Sequence, residues 1–239
     1  MCNTCGCPED TGNRVTVEIN QSLLKSNEDM AEKNRVHFDI KGIFVMNLIS
    51  SPGAGKTSLL EKTIEELSGK ISIGVLEGDI ETELDAERIR AKGIPAIQLT
   101  TGGACHLESS LVHKGFHKLE HELNGKSLDI LFIENVGNLV CPSFFDLGEH
   151  TRVVLISIPE GHDKPVKYPK AIQSSDILII TKTDLVPYFD FDIEKAKADA
   201  LALNPSITIL TVSVKTGDGI EEWTDCLIKS ITLNRAQKS

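Results

Sequence analysis

At 239 residues, with 40% hydrophobic and 25% charged residues, the sequence has the balance of a soluble globular chain long enough to bury a sizeable core. Lys and Arg number 25 against 35 Asp and Glu, and this net charge of −10 argues against non-specific binding to nucleic acid or to an anionic membrane. The low aromatic content of 5% argues against a stacking platform for single strands. No apolar run approaches the ~20 residues of a membrane span. The first residues, MCNTCGCPED, have neither the basic nor the apolar region of a secretion signal, so a cytoplasmic location is expected.

Residues 1–20 show no hydrophobic period and read as a tail, and 21–36 carry a sparse apolar stripe (Leu23, Leu24, Met30, Val36) that predicts a short helix. From Gly42 onward the pattern changes. IFVMNLIS (43–50) is a continuous apolar run, as expected of a parallel strand buried on both faces, and similar runs recur at 71–78, 128–135, 152–158, 176–181 and 207–213, with a shorter one at 96–100. Helical periods at 57–68, 82–92, 106–123, 166–173, 192–203 and 219–231 separate them. This alternation predicts an α/β fold, a doubly wound, mostly parallel sheet of about seven strands. Residues 1–40 are expected to form a tail plus helix, and 41–239 one domain.

The strongest local signal is Ser50-Ser51-Pro52-Gly53-Ala54-Gly55-Lys56-Thr57, between the first buried strand and a helix. That is the setting of a phosphate-binding P-loop. Gly53 and Gly55 allow backbone N–H groups to converge on an anion, and the helix N-terminus adds its positive end. Gly53, Ala54, Gly55, Lys56, Thr57 and Ser58 are the expected contacts, with Lys56 reaching the phosphates and the Thr57 hydroxyl available to Mg²⁺. Ser50 stands where such loops usually begin with Gly. A P-loop alone does not choose the base. Thr181-Lys182-Thr183-Asp184, at the end of a buried strand, resembles the guanine-recognition motif of GTPases, since the carboxylate of Asp184 can accept two hydrogen bonds that adenine cannot donate. Ser213-Val214-Lys215, after the last strand, resembles the loop supporting the base from its other side. The expected cofactors are therefore GTP or GDP with Mg²⁺. Two strand ends supply carboxylates: Glu77-Gly78-Asp79, and Glu134 followed by Gly137, where the glycine would answer to the γ-phosphate. Lys56, Asp79 and Glu134 are the catalytic candidates, the two carboxylates together with Thr57 also being Mg²⁺ candidates.

Softer ligands follow. Cys105-His106 falls at a predicted helix start and Cys141 closely follows Gly137; thiolate and imidazole suit Ni²⁺ or Zn²⁺ far better than Mg²⁺. Cys2, Cys5 and Cys7 form a separate cluster able to wrap one ion, nickel in particular. His113, His117 and His121 repeat at helical spacing, a pattern that can bind metal and is more often a solvated face; they are left out of the expected site.

Together the CxxCGC tail, SSPGAGKTSLLE, EGD, TGGACHLE, ENVGNLVCP, EGHDKPVKYP and TKTDL resemble the HypB family, nickel-insertion GTPases of NiFe-hydrogenase maturation, over essentially the whole chain. The resemblance implies a SIMIBI-class GTPase that dimerises with nucleotide. It also implies a high-affinity nickel site at Cys2, Cys5 and Cys7, and a weaker nickel or zinc site at Cys105, His106 and Cys141. A hydrogenase-maturation accessory protein and the hydrogenase large subunit are the implied partners. The long His-rich stretch of some members is absent, which argues against bulk nickel storage. The urease accessory GTPases differ in carrying a contiguous Cys-Pro-His. A metal store or sensor with a relic P-loop would not need Lys56, Thr57 and Asp184 intact, and a partitioning-type ATPase would lack TKxD.

Overall fold

The computed structural model of the chain describes residues 12–79 and 83–238. In chain order these form α1 (Gly12–Lys41), β1 (Phe44–Ser50), α2 (Lys56–Leu67), β2 (Ile73–Asp79), α3 (Leu84–Ala91), β3 (Ala96–Thr100), α4 (Ser109–Leu123), β4 (Ile130–Gly137), β5 (Thr151–Ser157), α5 (Lys164–Lys167), α6 (Pro169–Gln173), β6 (Ile177–Thr181), α7 (Ile193–Leu203), β7 (Thr208–Val212) and α8 (Ile220–Lys238). Among the described residues the strands make one seven-stranded sheet in the order β3-β2-β4-β1-β5-β6-β7, every neighbouring pair parallel. No helix of the described residues is long and apolar enough to cross a membrane.

The apolar runs are continuous because both faces of the sheet are covered. Along β1, Phe44, Met46 and Leu48 join a core with α2 and α8, whereas Val45 turns to a second core beneath α1 and α4 and Ile49 to a third beneath α6 and α7. This is the two-residue period of a strand, with apolar side chains on both faces. On the first face Trp223 of α8, 1% exposed, donates its indole N–H to Thr63 of α2 at 2.8 Å, so a large buried ring leaves no polar atom unpaired.

The helices differ from the sequence expectation at identifiable places. The segment 166–173 is two short helices: Pro169 has no N–H to continue the first, and the preceding Tyr168 leaves the helical region (φ −125, ψ 58). Helix α4 starts at Ser109, so Cys105 and His106 lie in the loop ahead of it and not at a helix start. Helix α1 runs well past both ends of the expected 21–36. It stops at Gly42 (φ +68), where Ile43 N–H bonds Phe38 C=O and Gly42 N–H bonds Asp39 C=O, both at 3.0 Å, the paired bonds of a Schellman cap.

Helix α1 is held on the domain by two buried asparagines. Asn27 caps α4 from outside: its Oδ1 accepts from Ser109 N–H at 2.8 Å, its Nδ2 reaches the Asp146 carbonyl at 2.7 Å, and no side chain of the N-cap residue Glu108 does this work. Asn34 donates to the carbonyls of Ser109 (2.8 Å) and Leu147 (3.1 Å). The neighbouring turn lies so close that a Cβ on Gly148 (φ +90) would stand 2.6 Å from the Ala31 carbonyl oxygen and 2.9 Å from Arg35 N. Both the left-handed backbone and the contact with a helix backbone exclude a side chain there. Gly148→Ala is therefore expected to destabilise the chain by about 3 kcal/mol in urea unfolding. A loss below about 1 kcal/mol would mean that α1 is free to move away from this turn.

Candidate functional site

The C-terminal ends of the parallel strands collect the functional side chains, as open α/β sheets do. After β1 the loop 51–55 turns through two left-handed glycines, Gly53 (φ +74) and Gly55 (φ +100), and no side chain caps the first turn of α2. Its amides and the Lys56 ammonium make a cradle for an anion. The Lys56 Nζ donates to Ser50 Oγ at 2.9 Å, and Ser50 Oγ donates to the Ser51 carbonyl at 2.7 Å. The serine that departs from the usual glycine thus fixes the lysine.

Strand register supplies the acidic wall. β2 and β4 pair Glu77 with Glu134, and parallel neighbours face the same way, so both carboxylates point toward α2. They are 2% and 3% exposed. Thr57 donates its hydroxyl to Glu134 Oε1 at 2.8 Å, while Glu77 Oε2 and Glu134 Oε2 are buried without a hydrogen-bond partner. Asp85 of α3 brings a third carboxylate, with ligand oxygens of the three within 4.8 Å of one another. Burial pushes the Glu77 carboxyl well above the usual carboxylate range, and the charges of Glu134 and Asp85 act in the same direction, against Lys56. Burial also raises Glu134, opposed by Lys56 and the Thr57 hydrogen bond. Orphaned buried carboxylate oxygens beside a hydroxyl form a donor set for a hard divalent cation, and Mg²⁺ fits it.

A cavity of about 390 Å³ lies between this wall and the loop, lined among others by Gly53, Lys56, Thr57, Asp79, Gly137 and Lys182. A second, of about 440 Å³, shares Gly55, Ser58 and Lys182 with the first and continues to Ala54, Asp184, Val214 and Lys215. Lys182, held at φ +60, lays its stem across this junction and donates from Nζ to the Gly53 carbonyl at 2.6 Å. Ser213 donates to Asp184 Oδ1 at 2.7 Å, and Lys215 Nζ lies 4.0 Å from Asp184 Oδ2. The carboxylate that sequence reasoning assigns to the base is thus oriented from behind and open in front. All the residues expected to bind nucleotide line these two cavities except Ser213, which acts on Asp184.

Asp79 lines the first cavity but stands outside the acidic cluster, whose members beyond Glu134 are Glu77 and Asp85. Neither of these was singled out from sequence. Glu77 sits in an apolar strand two residues ahead of Asp79, and its burial was the available signal. Asp85 and the cavity-lining Arg88 come from a helix whose placement only the fold provides. Arg88 is itself committed to Glu61 (Nη2–Oε2 2.6 Å) and Asp85 (2.8 Å).

The soft ligands meet on the adjoining edge. Cys105 Sγ lies 2.8 Å from Cys141 Sγ and 3.8 Å from His106 Nδ1, and the ligand atoms of all three fall within 4.8 Å of one another. Cys141 opens a 3-10 turn (Cys141–Phe144) with Pro142 next in it, and Asn138 Nδ2 donates to the Cys105 carbonyl at 3.3 Å. His106 packs on the Phe145 ring, 3.9 Å between centroids, with Nε2 buried and unpartnered; burial holds its imidazole below the usual range, in the neutral form a metal requires. The hydrogen bond with Cys105, then burial, pushes the Cys141 thiol up. Cys2, Cys5 and Cys7 lie outside the described residues.

Residues 44–211 match the family model "CobW/HypB/UreG, nucleotide-binding domain". The chain belongs to the HypB family. A hydrogenase maturation factor HypB of Azotobacter chroococcum is 48% identical over 207 residues, covering 87% of this chain and 67% of that protein. The crystal structure of HypB from Helicobacter pylori in complex with nickel aligns with TM-score 0.84 at 40% identity, over 88% of this chain and 97% of that one. HypB from Archaeoglobus fulgidus aligns with TM-score 0.79 at 40% identity, over 87% and 99%. The seven-stranded parallel sheet is accordingly the P-loop fold of the HypB family.

The two sulfurs at 2.8 Å are about 0.8 Å beyond a disulfide bond length. Treatment with diamide is expected to join Cys105 to Cys141, detected as a linked peptide pair by mass spectrometry, while Cys226 on α8 stays reduced. A failure to form that pair would mean the two loops do not hold their thiols together in solution.

Proposed function

We propose that this chain is a GTP-hydrolysing nickel metallochaperone acting in NiFe-hydrogenase maturation, with nucleotide state coupled to metal binding and to dimerisation. One observation carries the reading: an anion cradle and a thiol–imidazole cluster share the end of β4. Glu134 faces the cradle. Its neighbour Asn135 points to the opposite face and accepts Leu107 N–H on Oδ1 at 3.2 Å, holding the loop that bears Cys105 and His106. A Cβ on Gly137 would come within 3.2 Å of Pro52 N and Cα, so strand and P-loop backbones touch there, four residues before Cys141. The resemblance of the chain to proteins named hydrogenase maturation factor, one of them solved with nickel, supports the client and the cargo.

In this reading Asp184 accepts the guanine N1–H and 2-amino hydrogens, and Lys182 lies along the base while bracing the loop at Gly53. The loop amides and Lys56 hold the phosphates. Thr57 and Glu134, with Glu77 and Asp85 around them, would hold Mg²⁺, which supplies charge neutralisation at the phosphate oxygens when bound. Turnover rests on positioning and charge, and is slow because no glutamine stands ready to orient the attacking water; Asp79, on the cavity wall, is the residue proposed for that role. Nickel is cargo: a tight site at Cys2, Cys5 and Cys7, and a weaker nickel or zinc site at Cys105, His106 and Cys141. Val140 and Phe144, 51% and 55% exposed beside Cys141, give an apolar rim for a partner: a second copy, an accessory protein or the hydrogenase large subunit. The division into a metal-binding tail with helix (1–40) and a GTPase domain (41–239), and residence in the cytoplasm, belong to the same proposal.

Two outcomes test it. Asp184→Asn is expected to weaken GTP by about 2–3 kcal/mol and to favour xanthosine nucleotides, whose 2-oxo group matches the new amide. Equal hydrolysis of ATP and GTP by the unaltered chain would overturn the base assignment. On a chain lacking residues 1–8, nickel affinity at the Cys105 site should differ between GDP and a non-hydrolysable GTP analogue by about 1–3 kcal/mol, a difference that Cys141→Ala removes. Identical affinities in calorimetry would leave the metal cluster uncoupled from the nucleotide.

A further inference from the structure

The fold gathers histidines that the sequence keeps apart. His113 and His117 stand one turn apart on α4, and α1 lies against that helix, with Phe38 packed edge-on to Phe116 at 4.9 Å. This contact brings His37 of α1 to the pair, its ring 5.2 Å from that of His117, and places one ligand nitrogen from each of the three within 4.8 Å of the others. The expectation of a solvated face therefore fits His121, which remains exposed and outside the group, while His113 and His117 face α1. We infer that His37, His113 and His117 form a further metal site, separate from the cysteine clusters, which takes a tetrahedral divalent cation of the zinc type and pins α1 to α4.

The hydrogen bonds around the triad prepare its nitrogens for that ion. Asn34 spends both amide hydrogens on the carbonyls of Ser109 and Leu147, which only accept, so its oxygen is unambiguous. That oxygen lies 2.9 Å from His113 Nδ1, which must therefore carry the proton and donate it. His113 Nε2 is left as a bare lone pair, aimed at His117 Nε2 only 3.2 Å away. Two nitrogens bound at ~2.0–2.1 Å to one tetrahedral zinc stand about 3.3 Å apart, close to the separation already present. Across the ring, His117 Nδ1 lies 3.1 Å from Glu120 Oε2, and His37 Nε2 lies 3.4 Å from Glu120 Oε1. Glu120 is thus an outer carboxylate able to fix imidazole orientation, and Lys41 holds it at 2.8 Å. A bound zinc would displace the proton that the His113–His117 contact needs. With three imidazoles as protein ligands, the fourth position opens to water beside the half-exposed His117. Imidazole without thiolate distinguishes this set from the Cys105 cluster and gives it a different spectroscopic signature.

The test uses the full-length chain with Cys2, Cys5, Cys7, Cys105 and Cys141 replaced by Ala, so that neither cysteine cluster competes. Zn²⁺ titrated by calorimetry is expected to bind at one equivalent and to raise the melting temperature, because it crosslinks two helices only in the folded state. Co²⁺ in the same protein should give a tetrahedral d–d spectrum with no sulfur-to-metal charge-transfer band. Losing an outer partner of a metal ligand costs roughly 10–100-fold in affinity, so His37→Ala, which removes a ligand, should weaken Zn²⁺ at least about 100-fold and abolish the rise in melting temperature. His117→Ala, at an exposed position of α4, should do the same and serves if His37→Ala folds poorly. The absence of stoichiometric Zn²⁺ in this five-cysteine variant would overturn the site. So would Zn²⁺ affinity that survives His37→Ala, since only a surface pair on α4 would then be binding.

Discussion

Two buried carboxylates forced side by side set the terms for the rest of the molecule. Glu77 and Glu134 arrive there because β2 and β4 pair in parallel register, and neither can be moved without slipping a strand buried on both faces. Their orphaned oxygens carry a cost that a cation offsets, and two nearby groups are directed at them or at the adjacent anion cradle: Thr57 on Glu134, Lys56 between the loop and the acids. The site is built at the expense of the empty state. That is the usual position of a metal and nucleotide centre, whose stability is completed by what it binds.

The same strand explains how the two chemistries of the proposed function can communicate. Successive residues of β4 point to opposite faces, so Glu134 meets Thr57 at the P-loop and Asn135 the loop of Cys105 and His106 through one peptide link. Beyond them Gly137 touches Pro52 and Asn138 bridges back to Ser50. A close-packed backbone junction of this kind transmits displacement because it has no void to absorb it.

Much of this was legible in the sequence, for particular reasons. The strands were readable because apolar side chains on both faces leave no polar interruption, and the P-loop and base loops because turn glycines and a charged strand end fall in fixed order. What escaped was what depends on neighbours distant in sequence. Glu77 looked like part of a strand end whose obvious acid was Asp79; only register against β4 selects it. Asp85 and Arg88 come from a helix whose tilt no local pattern fixes. The split between α5 and α6 rests on Pro169 alone, a single residue inside an otherwise continuous helical period. His37 belongs to a helix whose sparse apolar stripe gave no hint of where it docks, so the partner of His113 and His117 could not be named before Asn27 and Asn34 were seen to hold α1 in place.

The two cavities and the acidic and cysteine clusters gather at the C-terminal end of the strands, and this leaves the other end with a different standing. The turns at 68–72, 93–95, 124–128, 174–176 and 204–207 enter the strands from the opposite edge, where backbone bonds such as Asp129 N–H to the Ser72 carbonyl serve only to start the strands. That edge is a neutral ground for engineering. A fluorophore, an affinity handle or a crosslinker seated on the exposed Lys70 would ride on the rigid sheet and report on the whole domain while standing a full strand length from the nucleotide cavities.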